Sequence, residues 1–186
     1  MKTLTTVAIT LLVVALAALG YIYSGVFDVA ADQPHGALVH WLAETTRERS
    51  IAVRAIGIDV PDLETPALIA QGAQEYGQMC AGCHLGPGVD DNEFRQGLYP
   101  VAPELALHEH EHGEAAAAAA QQFWIVKHGI KMSAMPAWGI THDDATIWSI
   151  VAFLRKLPEL TAQQYAQMTA AAAAAQQGPG HEHAGE

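Results

Sequence analysis

The two cysteines of this chain lie within five consecutive residues, and this motif constrains the fold more than any other feature of the sequence. Cys80, Ala81, Gly82, Cys83 and His84 form a C-x-x-C-H pentad, which is the spacing that attaches a haem covalently. Two thiols one helical turn apart can add to the two vinyl groups of one haem, and the adjacent histidine can then reach the iron. A domain built on this motif takes much of its core from the cofactor.

Three other uses of the pentad fit the sequence less well. A structural zinc site needs further ligands such as a second cysteine pair, which the chain lacks. A dithiol redox site belongs in a thioredoxin-like βαβ context, which is missing. A local disulfide between Cys80 and Cys83 would leave His84 without a role. We therefore predict one covalently attached haem c, held by Cys80 and Cys83, with His84 as an axial ligand of its iron.

The amino-terminal segment is long enough and apolar enough to cross a membrane. Residues 4–23 carry no charge, and the first acidic residue is Asp28. Twenty helical residues span a bilayer core of about 30 Å. A cleaved signal peptide is the alternative, with small Val29 and Ala31 near a cleavage point, but its apolar core is shorter, about 7 to 15 residues. We predict a transmembrane anchor over residues 1–27, and either alternative exports the rest of the chain.

The charge of the exported part excludes one class of partner and indicates another. The formal net charge is −11 at neutral pH, and residues 60–186 hold fifteen acidic against five basic residues. Such a chain repels polyanions, so nucleic acid is excluded as a partner. We predict a redox partner with a basic docking face, and encounter rates that fall as salt rises.

A second helix is predicted between the anchor and the domain. Within residues 35–54, Leu38, Trp41, Leu42 and Thr45 recur at spacings of three and four, as on one face of an amphipathic helix. We assign residues 28–65 as a linker containing this helix. The helix either packs on the domain or on the outer membrane surface as a spacer, or it docks the chain to a larger complex.

The residues around the pentad resemble a class I c-type cytochrome over residues 66–168. Gly72 and Tyr76 precede Cys80 at steps of four, and residues 147–156 resemble the last helix of that family, which crosses the first helix at the glycine. The resemblance is to the cytochrome c domains associated with respiratory oxidases and dehydrogenases. It implies an all-α fold: a small haem domain behind the transmembrane helix and the juxtamembrane amphipathic helix.

The resemblance also implies a second axial ligand, and two methionines compete for it. Met135 precedes Pro136, which favours an extended backbone from which the side chain can project. The string from Met135 to Trp138 resembles the axial-ligand loop of the family, so we predict Met135 as the second ligand of the iron. Met132 is the alternative ligand. If it does not bind the iron, we expect it to be a neighbouring residue in the core or the loop.

A proline carbonyl is expected to orient the axial histidine. Pro103, Glu104 and Leu105 resemble the family's Pro-x-Leu element, whose proline carbonyl accepts the hydrogen on Nδ1 of the histidine. We therefore place Pro103 and Leu105 in the haem pocket, with Pro87 and Pro100 as alternative acceptors. Arg95, Tyr99 and Lys131 are candidates for contacting a haem propionate, and no spacing selects among them.

Histidines form two further clusters. His108, His110 and His112 alternate with glutamates, a pattern that can bind divalent copper, nickel or zinc. The alternatives are a solvated insertion, or a histidine that displaces Met135 from the iron when the loop opens. His181 and His183 close an Ala/Gln/His-rich segment, residues 169–186, which we predict to be disordered.

These features predict an electron carrier rather than an enzyme. An iron with histidine and methionine ligands has no open position for a substrate, and no other set of acid, base or nucleophile is evident in the sequence. The expected role is one-electron transfer between membrane respiratory complexes or dehydrogenases, from a single-pass anchor in the inner (cytoplasmic) membrane with the haem domain facing the periplasm. The alternatives are a cytochrome c subunit of a larger membrane oxidoreductase and a gas or metal sensor.

Overall fold

The computed structural model describes residues 2–107 and 115–176, and within them every regular element is helical. The predicted all-α class is therefore confirmed. The α-helices are α1 (Lys2–Tyr23), α2 (Ala37–Ala55), α3 (Pro66–Met79), α4 (Ala81–His84), α5 (Glu93–Gln96), α6 (Ala115–His128), α7 (Asp144–Lys156) and α8 (Ala162–Gln176). Short 3-10 turns cover Leu105–Leu107, Trp138–Ile140 and Leu157–Glu159.

The chain divides into two compact units, Met1–Pro34 and His35–Glu186. The first unit contains α1, which has 22 residues and a mean hydropathy of 2.2 in its most apolar window. None of the residues of α1 is buried, which is expected of a helix whose solvent is lipid. By length and composition, α1 is the one described helix that could cross a membrane.

The second unit is organised around the crossing of α3 and α7. Gly72 lies at the crossing, with the backbone of Ser149 and the Cβ of Phe153 directly above it. The close approach buries Tyr76 and Phe153 completely, with ring centroids 5.3 Å apart. The predicted removal of bulk by Gly72 is therefore present at this crossing, and it allows the two helices to share one core.

Helix α2 belongs to the second unit, where it packs against α6. The residues that α2 buries are Ile51 and Ala55, in its last two turns. The face predicted from Leu38, Trp41 and Leu42 is not the packed one, since all three of these side chains are exposed. The sequence periodicity identified an apolar face but could not show that the domain covers a different side of the helix.

Helix α8 follows α7 and continues past the predicted end of the domain at residue 168. It runs to Gln176, eight residues into the segment that we predicted to be disordered. The alanine run after Thr169 has a high helix propensity, which accounts for the continuation. Tyr165 anchors α8 by packing its ring against Gly86, where no side chain would fit.

Candidate haem site

The C-x-x-C-H motif forms a single helical turn at the end of α3. Cys80 ends α3, and its carbonyl accepts hydrogen bonds from the backbone N–H of Cys83 at 3.1 Å and of His84 at 2.8 Å. This turn places the two sulfurs one helical step apart. Both cysteines are free thiols; Cys80 is buried and Cys83 is partly exposed.

Burial keeps the Cys80 thiol protonated. Removal from water, followed by the nearby Cys83 and Glu75, raises the pKa of Cys80 to about 12. A neutral thiol in an apolar pocket is poorly suited to metal binding or disulfide exchange at neutral pH, because both need the thiolate.

A buried tyrosine fixes the chain that follows the motif. The hydroxyl of Tyr76 donates a hydrogen bond to the carbonyl oxygen of Leu85 at 2.6 Å. Burial raises the pKa of Tyr76 well above its usual range, so the hydroxyl keeps its proton. Tyr165 of α8 packs edge-on against Tyr76, with ring centroids 6.3 Å apart, and closes this side. The role of Tyr165 was missed in the sequence, because no motif marks it within the resemblance over residues 66–168.

The imidazole of His84 is held by the carbonyl predicted from the sequence. Its Nδ1 lies 2.8 Å from the carbonyl oxygen of Pro103, so Nδ1 must donate, and the Pro103 carbonyl is preferred over those of Pro87 and Pro100. Burial lowers the pKa of His84, which favours the neutral ring; the bond to Pro103 opposes this shift and the charge of Arg95 adds to it. A neutral ring with hydrogen on Nδ1 leaves Nε2 free as a ligand.

Arg95 holds the loop that presents Pro103. Its guanidinium donates to the carbonyl of Ala102 at 3.0 Å and pairs with Asp91 at 3.1 Å and Glu104 at 3.5 Å. Two of these partners, Ala102 and Glu104, are the residues on either side of Pro103 in the sequence. Arg95 therefore supports the loop behind the histidine, and its contact with a haem propionate stays a prediction.

The two candidate methionines differ sharply in their surroundings. Met132 has a positive φ of 59° and a side chain that is 99% exposed. Met135 is partly buried and packs against the core. Two hydrogen bonds fix its backbone: the Met135 N–H donates to Ser133 Oγ at 3.2 Å, and the Met135 carbonyl accepts from the N–H of Ile130 at 3.1 Å. The structure therefore turns Met135 inward and Met132 outward.

A glycine makes this methionine loop possible. Gly129 follows α6 with φ of 64°, and a Cβ there would lie 2.6 Å from the backbone of Pro136. Only glycine adopts this conformation and allows this approach without strain. The loop therefore folds back onto the end of α6 and presents Met135 to the core.

The donor set fits a haem. Two free thiols, a neutral imidazole with one free nitrogen and a half-buried thioether are the groups that a c-type haem requires. Leu105, which we predicted in the haem pocket, packs against the same core as Met135, and so does Trp138. Among the described residues, no group of three His, Cys, Asp or Glu side chains could hold a metal ion. His108, His110, His112 and the tail histidines lie outside the described residues.

Comparison with known proteins supports the same identification. Residues 67–154 match the family model of cbb3-type cytochrome c oxidase, subunit III, which covers just under half of the chain. The match begins at the start of α3 and ends within α7, so it contains the cysteine motif, the Pro103 loop and the methionine loop. No curated protein and no solved structure shows a significant match to the chain. Residues 67–154 are therefore similar to a cytochrome c domain of the cbb3 type, which implies electron transport by haem iron; together with the N-terminal apolar helix, this fits a membrane-anchored class I cytochrome c.

Proposed function

We propose that the chain is a membrane-anchored carrier of single electrons, with one haem c bound covalently through Cys80 and Cys83. The observation that carries the proposal is the hydrogen bond of His84. Its Nδ1 is bonded to the carbonyl oxygen of Pro103, which leaves Nε2 free to bind iron. A haem bound here supplies an iron that changes between the ferrous and ferric states by one electron.

The two cysteines would fix the cofactor without any redox reagent. Each thiol adds its sulfur and its hydrogen across one vinyl double bond, so a thioether forms and no electrons are released. The turn from Cys80 to His84 sets the spacing of the two sulfurs. The bond from Pro103 then holds the imidazole of His84 in the orientation that a ligand needs.

His84 and Met135 together would hold the haem iron, His84 through its imidazole and Met135 through its thioether. Thioether sulfur stabilises ferrous iron, so Met135 would raise the reduction potential. With both residues bound, no iron position would be left for a substrate, which favours a carrier over an enzyme.

The anchor determines where this carrier works. We infer that α1 is a single span in the inner membrane and that the haem domain faces the periplasm, because haem c is attached outside the cytoplasm. The electron donors and acceptors would then be membrane complexes or dehydrogenases reached from that side.

A second candidate is a cytochrome c subunit of a larger membrane oxidoreductase. The matched family model, which is that of an oxidase subunit, favours this alternative. Purification in mild detergent separates the two: a free carrier elutes as a single chain, whereas a subunit retains stoichiometric partners.

The test of the carrier proposal is a redox titration of the full-length holoprotein. We expect one reversible transition with a one-electron slope, and a ferrous form that does not bind carbon monoxide at neutral pH. Ready binding of carbon monoxide would show an open iron position, which would reject the closed coordination and favour a gas sensor.

Salt dependence tests the predicted docking charge. A tripositive cobalt complex and the trianion ferricyanide are matched oxidants of opposite charge. As ionic strength rises from 0.01 M to 0.5 M, we expect the rate with the cation to fall on the order of tenfold and the rate with the anion to rise. Stopped-flow absorbance of the ferrous haem measures both rates. Equal slopes for the two oxidants would contradict steering by the acidic surface.

A further inference from the structure

One side of α2 carries exposed apolar residues at both ends of the helix, with Thr45 and Arg49 between them. We call this side the α2 stripe; its members are the apolar residues Leu38, Trp41, Leu42, Val53 and Ile56, the last just past the helix end, and the basic residue Arg49. At 100° per residue, the directions of all members except Trp41 differ by no more than about 60° around the helix axis. Trp41 lies at the edge of this sector. The apolar members are far from buried: Trp41 is 59% exposed, Val53 64% and Ile56 78%.

The stripe is distinct from the side that α2 uses to pack on its own domain. Ile51 and Ala55 are the buried residues of the helix. By the same rotation they lie about 120° or more from the centre of the stripe. The helix therefore has two apolar sides, one covered by the domain and one left open in this unit.

The open side of α2 carries one basic residue and no acidic one, unlike the exported part as a whole. The chain carries twenty acidic residues, yet none is in the stripe. Of the two acidic residues of α2, Glu44 lies on the packed side and Glu48 lies between that side and Trp41; both approach Arg47. The stripe carries Arg49, whose long stem can lie along apolar surface while its head meets phosphate. Tryptophan, here Trp41, favours the same interface.

The chain length allows the stripe to reach the bilayer. Helix α1 ends at Tyr23 and α2 begins at Ala37, so thirteen residues separate them. Fully extended, such a segment spans about 45 Å. A helix of 19 residues is about 28 Å long, so α2 can lie flat within this reach.

We propose that α2 lies flat on the membrane, with the stripe inserted among the lipid headgroups and the haem domain carried on the opposite side. This inference rests on the proposed membrane anchoring. It makes α2 a platform rather than a flexible spacer, so the haem domain would have a fixed orientation to the bilayer. The electron partner would then be met by sideways diffusion in the same membrane.

Photocrosslinking from single introduced cysteines tests this inference. In the holoprotein the native cysteines are bound to haem, so Leu42→Cys, Val53→Cys and Arg54→Cys each add the one free thiol. Arg54 is an exposed neighbour of Val53 that points away from the stripe, which makes it the matched control. Each full-length variant is labelled with benzophenone maleimide and reconstituted at high lipid-to-protein ratio into liposomes of phosphatidylcholine and phosphatidylglycerol.

We expect lipid adducts at positions 42 and 53 in several-fold higher yield than at position 54, as measured by mass spectrometry. Yields no higher than at position 54 would overturn the inference, as would adducts to the haem domain. Crosslinks between chains would assign the stripe to a second copy instead. Flotation of the liposomes separates the two proposals. If the chains float but form no lipid adducts, the membrane anchor is supported and the docking of α2 is rejected. If the chains do not float, both proposals are rejected.

Discussion

Substituting alanine for Gly72 is expected to lower the free energy of unfolding of the holoprotein by about 3 kcal/mol or more. A Cβ at this position would overlap the backbone carbonyl of Ser149 and would lie 2.9 Å from the Cβ of Phe153. Backbone atoms in a crossing of two buried helices cannot move aside as a flexible side chain can. The helices must therefore separate, which exposes the core around Tyr76.

Gly77 on the same helix provides the matched control. A Cβ there would meet Thr169 at 3.2 Å, a contact that a small shift of α8 can relieve. Alanine is also favoured over glycine within a helix by about 1 kcal/mol. We expect Gly77→Ala to change stability by no more than about 1 kcal/mol. Thermal unfolding followed by circular dichroism measures both variants, and equal midpoints would contradict the close crossing at Gly72.

The second large effect is expected at the proposed axial methionine. Met135→Ala should abolish the methionine-to-iron charge-transfer band, lower the midpoint potential by on the order of 100 mV, and let the ferrous form bind carbon monoxide. The physical reason is the loss of the thioether, which stabilises ferrous iron and closes the sixth position.

Met132→Ala is the control for that experiment. The Met132 side chain is 99% exposed and lies only three residues away on the same loop. We expect the band, the potential and the closed coordination of the native protein to be retained. If Met132→Ala lost the band and Met135→Ala kept it, the assignment of the two methionines would be reversed.

The sequence predicted the parts of the site that short-range spacing determines. The C-x-x-C-H pentad specifies one helical turn, and the glycine at 72 specifies where α3 and α7 cross. The hydrogen bond from His84 to Pro103 links residues nineteen positions apart, and it was predictable because the family resemblance supplied the partner.

Other parts of the molecule depend on contacts that periodicity does not encode. The apolar pattern of α2 was evident, but the packed side is set by where α6 lies, and the domain covers Ile51 and Ala55 instead. Arg95 was one of three equivalent candidates for a propionate contact in the sequence, and only the folded loop brings it between Asp91 and Glu104. Tyr165 lies in no recognised motif, so nothing local in the sequence linked it to Gly86.

The most direct test of the account is the mass of the mature chain produced with a c-type maturation system, measured before and after extraction with acidified acetone. The account predicts a chain heavier by one haem, with the added mass retained after extraction because Cys80 and Cys83 hold it through thioethers. The variant Cys80→Ala with Cys83→Ala, made in parallel, should lose that mass on extraction. A native chain that releases its haem, or carries none, would contradict the central claim.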